Sequence, residues 1–258
     1  MNKRGLAVIF IIIGVLIVVA VGLFFLVKYA KLPSTSKSNE LNPDSYLEIC
    51  IEKKVKQAVD IMLLQGGYIN ASFYKYFQFS ESSMASNISY LCYTQYDYLP
   101  CVNQEPMLMN HVNNEIKNYV SSSVQSCFID YINDLESQGY VTNYDYNGFD
   151  LILAPSKIIM DIDGKITFEK GESSSTQNEF QVITPTMFYD LLSVAQEIVS
   201  QEARFCNFDY IGFMQLNSEF EILKFKTSDF ITLYRIKNKN SDEEFRFAIR
   251  GCVIPGGV

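Results

Sequence analysis

The segment KIIMDIDGKITFEK, residues 157–170, decides how the second half of the chain is read. Ile158 and Met160, then Ile166 and Phe168, alternate with polar neighbours at the period of a half-buried strand. A three-residue loop, Ile162-Asp163-Gly164, with Gly164 in the left-handed conformation, turns the segment into a hairpin. That register pairs Asp161 with Lys165, Met160 with Ile166, Ile158 with Phe168 and Lys157 with Glu169. A two-residue Asp-Gly turn would place the same partners on opposite faces, so the three-residue form is predicted. Asp161-Ile162-Asp163-Gly164 also has the opening of a calcium loop, but the later ligands of that pattern are missing.

Outward from the hairpin, strands are expected across residues 140–183. Thr184-Pro185 then announces a helix by a capping hydroxyl and a proline at the first position. Phe188, Leu191, Leu192, Ala195, Ile198 and Val199 give that helix one apolar stripe. Strands return at 219–226, 230–237 and 243–253, the last two joined by a polar turn at 238–242. Towards the amino terminus, residues 106–136 read as a long helix weakened at Ser121-Ser122-Ser123, whose hydroxyls compete for backbone hydrogen bonds. A first helix opens near Asp44 or Ser45 and carries Ile51, Val55, Ala58, Val59, Met62 and Leu63. It stops at Gln65-Gly66-Gly67. Residues 68–79 alternate as a strand that turns Asn70 to solvent, and a second strand covers 88–96. The fold class is α+β, with helices packed on antiparallel β-sheet.

Upstream, LPSTSKSNELNPDS at 32–45 has two prolines and no apolar periodicity, which marks a linker. Before it, residues 6–27 form an uncharged run in which 18 of 22 residues are Leu, Ile, Val or Phe. At about 1.5 Å per residue the run reaches about 33 Å, enough to cross a hydrocarbon core of about 30 Å. Lys28-Tyr29-Ala30 puts a lysine where signal cleavage needs a small residue, so the run is read as a retained transmembrane helix. The expected organisation is an anchor at 1–31, a linker at 32–45 and an extracytoplasmic domain at 46–258.

Lys3 and Arg4 on one flank are balanced by Lys28, Lys31 and Lys37 on the other, so orientation is read from the rest of the chain. All 29 acidic residues but only 17 of the 21 basic ones follow residue 32, leaving 17 − 29 = −12 beyond the anchor. That charge argues against a nucleic-acid partner, which needs a clustered basic face. Sequons at Asn70 and Asn87 mark glycosylation candidates. Six cysteines, an even number, also follow the anchor and suit disulfides outside the cytosol. They allow 15 connectivities, and reduced, buried cysteines are the competing reading. Cys92 and Cys101 bracket a short loop. Cys50 and Cys127 lie in two predicted helices, where a bridge contributes about 4 kcal/mol on the chain-entropy model. Cys206 and Cys252 then pair by elimination.

His111 is the only histidine, which excludes a multi-histidine metal site. His111 and Glu115, four apart on a helix, can share one ligand-facing surface, although an ordinary polar helix face explains them as well. Gln65-Gly66-Gly67-Tyr68 follows a helix and lacks the Lys-Ser/Thr ending of a phosphate loop. No cofactor is implied. Tyrosines concentrate between residues 68 and 98, and Tyr74, Tyr76, Tyr93 and Tyr96 are interface candidates, with strand propensity as their alternative explanation.

The amino terminus MNKRGLAVIFIIIG resembles the class III signal of archaeal type IV pilin-like proteins. That likeness implies cleavage between Gly5 and Leu6, with the apolar helix retained. Where those pilins commonly carry Glu five residues into the mature helix, this chain has Phe10. The QGGYI segment at 65–69, the helix TPTMFYDLLSVAQEIVSQEA and the closing FRFAIRG resemble a group of uncharacterised archaeal single-pass membrane-anchored proteins, which supplies no activity. Three functions are therefore carried: a membrane-anchored surface binding or structural module with a protein or glycan partner, a minor pilin-like subunit, and a carboxylate-based extracytoplasmic hydrolase.

Overall fold

Three long helices and two β-sheets account for most of residues 43–79 and 85–253, the part of the chain that the computed structural model describes. In order the chain forms α1 (Pro43–Leu64), β1 (Tyr74–Phe77), β2 (Ser86–Tyr93), β3 (Val102–Asn103), α2 (Leu108–Ser137), β4 (Val141–Ala154) and β5 (Lys157–Lys170). It continues through β6 (Ser173–Gln177), β7 (Phe180–Pro185), α3 (Phe188–Phe205), α4 (Tyr210–Leu216), β8 (Phe220–Lys226), β9 (Thr232–Asn238) and β10 (Glu244–Arg250). The expected anchor, the Gly5–Leu6 junction and the linker as far as residue 42 lie outside the described residues. Among the described residues no helix is long and apolar enough to cross a membrane.

The mixed α+β class holds, with helices between two sheets. α1 begins at Pro43, inside the expected linker, and buries Leu47, Ile51, Val55, Ala58, Val59 and Met62. It packs on α2, on β7 of one sheet and on β10 and β2 of the other. Gly66 and Gly67, with φ of +70° and +90°, end it as the sequence predicts, and the Gly67 amide donates back to the Met62 carbonyl. α2 continues unbroken through Ser121–Ser123, contrary to expectation. Val120 and Val124 on either side are fully buried, and burying a valine stabilises by about 1.5 kcal/mol or more, which outweighs serine's few tenths of helix propensity.

The predicted hairpin at 162–164 does not form. β5 runs straight through it for 14 residues, and the reversal comes earlier, at Pro155-Ser156 between β4 and β5. Proline in the second position and Ser156 at φ +62° in the third satisfy a type II turn. Gly164 pairs with Tyr146 in mid-strand and is glycine for a different reason: a β-carbon there would lie 2.9 Å from the Phe128 ring of α2. Sequence alone shows a turn dipeptide, whereas the structure has a close approach of helix and sheet. The second helix signal also shifts. Thr184 and Pro185 finish β7 at a sheet edge, where proline is tolerated, and Thr186 accepts from the Phe188 amide at 3.1 Å to start α3.

The other sheet has the order β1-β2-β10-β9-β8, with β3 beside β2. It is mixed rather than antiparallel, because β2 and β10 run parallel. The β1–β2 hairpin and the β8–β9–β10 meander come from opposite ends of the domain, and no local turn dictates their relative direction. This sheet is strongly curled. Four strand spacings of about 4.8 Å would hold β1 and β8 about 19 Å apart if it were flat. Yet the rings of Phe77 in β1 and Phe225 in β8 lie 5.2 Å apart, and Lys75 reaches Asp229 beyond β8 at 2.6 Å. The face turned away from the helices thereby encloses a second small core of Ile88, Tyr90, Ile231, Leu233 and Ala248.

The three disulfides match the sequence pairing: Cys50–Cys127, Cys92–Cys101 and Cys206–Cys252, with Cα separations of 6.0, 5.3 and 5.8 Å. Gly164→Ala is expected to cost about 1 to 3 kcal/mol by overpacking Phe128, and less in a Phe128→Leu background, as read by denaturant unfolding. A second expectation concerns alkali. Burial, reinforced by Asp229, pushes the Tyr90 hydroxyl from 10.0 up to about 12. Because the folded state holds this proton more tightly, its contribution is complete below pH 10 and is lost as pH rises from 10 through about 12. Unfolding curves across that range should show stability falling with pH, and Tyr90→Phe should flatten the fall.

Candidate functional site

The cysteines of the smallest ring, Cys92 and Cys101, are both buried, while the loop between them is turned outward. Cys92 is fixed in β2 and Cys101 sits beside Gly251, where a β-carbon would come within 2.8 Å of the Cys101 backbone nitrogen. Between these anchors Tyr96, Tyr98 and Leu99 are 55, 66 and 48 % exposed, and Val102 beyond the bridge is exposed as well.

Polar contacts hold the loop in addition to the bridge. The Arg250 guanidinium donates to the Thr94 carbonyl and to Asp97 at 2.8 Å, and it lies over the Tyr93 ring at 5.9 Å. The Thr94 amide donates to the Arg250 carbonyl at 2.8 Å, and the Cys252 amide to the Leu99 carbonyl at 2.9 Å. Tyr96 donates its amide to the Thr94 hydroxyl at 3.2 Å. A loop fixed in this way loses little conformational entropy on binding, and tyrosine adds large contact area with only two side-chain torsions. Its chemistry suits recognition of a surface.

The four tyrosines singled out in the sequence occupy different settings. Tyr74 and Tyr76 are exposed on the edge strand β1, and Tyr96 belongs to the stapled loop. Tyr93 packs against Phe73 at 4.7 Å and Tyr90 at 5.1 Å, so it supports the loop from beneath. Sequence reasoning passed over Leu99, Asp97 and Arg250. The bracketing cysteines mark the loop, but nothing in the sequence signals that an arginine more than 150 positions away supports it.

His111 and Glu115 of α2 do not form a shared ligand face. His111 Nε2 lies 3.1 Å from the Gly67 carbonyl, which can only accept, so Nε2 carries a proton. Glu115 accepts from the Ile69 amide at 2.8 Å. Tyr68 donates to Glu105 and packs its ring 4.3 Å from that of His111. Burial and then the Glu105 carboxylate push the Tyr68 hydroxyl well above its ordinary range. The group fastens residues 67–69 to the start of α2. Among the described residues no three His, Cys, Asp or Glu side chains are grouped to hold a metal ion.

A buried ionic group lies where α3 meets the curled sheet. Glu202 of α3 accepts from Lys224 of β8 at 2.8 Å and from the fully buried Tyr234 of β9. It ties the end of α3 to the sheet next to the Cys206–Cys252 bridge. Of the two sequon asparagines, Asn70 is exposed beside a cleft of about 230 Å³, and half-buried Asn87 lines a cleft of about 440 Å³ with Tyr76 and Asp60.

Comparison with known proteins finds no matching family model, no similar curated protein and no similar solved structure. The site is therefore read from its own geometry. Arg250→Ala should release the stapled loop while the bridge remains: hydrogen exchange at the Tyr96 and Cys252 amides speeds up, and exchange in α2 stays unchanged. Equal protection in both proteins would show that the disulfide alone holds the loop.

Proposed function

We propose that this chain is a single-pass, surface-anchored binding module that presents the Cys92–Cys101 loop to a protein partner at the cell surface. The observation that carries the reading is the rigid display of Tyr96, Tyr98 and Leu99 on a loop held by a disulfide and by Arg250. Aromatic side chains on a preorganised support concentrate binding energy in few residues. Three disulfides and no free cysteine among the described residues support an oxidising compartment. The apolar run at 6–27 supports an anchor, and the polar, proline-containing sequence after it supports a linker.

A second reading, a minor pilin-like subunit assembling through residues 6–27, draws on the MNKRG leader alone. Loss of residues 1–5 in the intact mass of membrane-derived protein would favour it, and retention of Met1 to Gly5 would count against it.

The binding reading is tested by placing a photoreactive residue at Tyr98, and separately at Tyr144, in the full chain on intact cells. Both tyrosines are exposed, but Tyr144 belongs to the β4–β5 hairpin. A discrete protein adduct at position 98 and none at 144 is expected. Adducts of equal yield at both positions, or at neither, would overturn the assignment.

A further inference from the structure

The backbone leaving α1 is fastened residue by residue until it reaches Asn70. Gly66 and Gly67 turn it, His111 takes the Gly67 carbonyl, Glu105 takes the Tyr68 hydroxyl and Glu115 takes the Ile69 amide. Asn70 is the first residue beyond these fastenings and is exposed, as is Ser72, the hydroxyl of its Asn-x-Ser sequence. Beside Asn70 a cleft of about 230 Å³ is walled by Ile69, Glu115, Asn118 and Tyr119, and the Tyr119 ring is partly open to solvent. One aromatic wall with a carboxamide and a carboxylate suits a sugar, whose ring face is apolar and whose edge carries hydroxyls.

The second Asn-x-Ser sequence is built differently. Ser89 is 2 % exposed, and among the described residues its hydroxyl has no hydrogen-bond partner. It lies under the turn at Gly66, where a β-carbon would stand 3.1 Å from that of Ser89. An enzyme that must read both the asparagine amide and the serine hydroxyl can reach the first sequence on the folded chain but not the second.

We propose that Asn70 is an N-glycosylation site open in the folded protein, that the Tyr119 cleft seats its first sugar, and that Asn87 is closed to modification once the turn at Gly66 covers Ser89. The donor is a lipid-linked sugar phosphate. Asn70 Nδ2 bonds to the anomeric carbon, the bond from that carbon to the phosphate oxygen breaks, and the phosphate leaves with the electron pair. One amide proton is released as the phosphate departs, so no oxidant or reductant takes part. In the cell the modification rests on the extracytoplasmic reading above. The geometry of the two sequences does not.

The test therefore uses isolated protein: the full unmodified chain, folded in detergent, with an oligosaccharyl transferase and a lipid-linked oligosaccharide. Mass mapping should find one glycan, on the peptide carrying Asn70. It should be lost completely in Asn70→Gln and in Ser72→Ala, and retained in Ser72→Thr. After reduction and unfolding, both Asn70 and Asn87 should be modified. A glycan on Asn87 of the folded chain would overturn the proposal, as would a folded chain that stays bare at Asn70 while the unfolded one is modified there. Nuclear Overhauser contacts between the first sugar and the Tyr119 ring are expected in the modified protein, and their absence would remove the seating cleft. Because membrane orientation plays no part in this reaction, its failure is distinct from failure of the surface-module reading.

Discussion

Helix α1 lies between the two sheets and packs on both. Its apolar side chains recur every three or four positions, and α1 reaches β7 of one sheet and both β10 and β2 of the other. The Cys50–Cys127 bridge fixes α1 to α2, whose partner strand is β4. For a separation of 77 residues the chain-entropy model gives this crosslink about 4.5 kcal/mol. That is comparable to the whole net stability of many domains, so the bridge and the burial of α1 together fix where each sheet stands.

The geometry around the end of α1 and along the curled sheet follows from that placement. Where α1 stops, Gly66 lies against the β2 backbone, and the residues after it are fastened to α2. On the curled sheet, β2 carries Cys92 into the core and lets the following loop emerge beside Arg250 of β10. Exposed tyrosines thus stand on a support whose strands are fixed by the core. Glu202, with Lys224 and Tyr234, secures the far end of α3 against the same sheet. Removing Lys224 leaves the buried Glu202 carboxylate without its cation, a cost of about 3 to 5 kcal/mol.

Much of this was legible in the chain because it is local. The stripes of α1 and α3, the glycine stop at 66–67 and the strands of the carboxy-terminal meander all come from spacing within a few turns. The cysteine pairing was legible for a related reason: once two cysteines fall on helices and two bracket a loop, few arrangements remain. What escaped was set by partners distant in sequence. Gly164 has the look of a turn residue until Phe128 is known to press on it. Ser121–Ser123 look like a break until the burial of Val120 and Val124 is known. The parallel pairing of β2 with β10, and the support of the tyrosine loop by Arg250, depend on how remote segments meet. The stapled loop was visible through its cysteines and tyrosines, whereas the contacts that make it rigid were not.

The curl of the mixed sheet has a bearing on how copies of the chain behave at high concentration. A flat sheet ends in two straight edges whose unpaired amides and carbonyls invite a strand from a neighbouring molecule. In this protein β1 and β8 bend towards each other, Phe77 meets Phe225, and Lys75 and Asp229 close the gap with a charge pair. Neither edge offers a long straight template. Copies brought close together therefore find no ready strand-pairing template along this sheet.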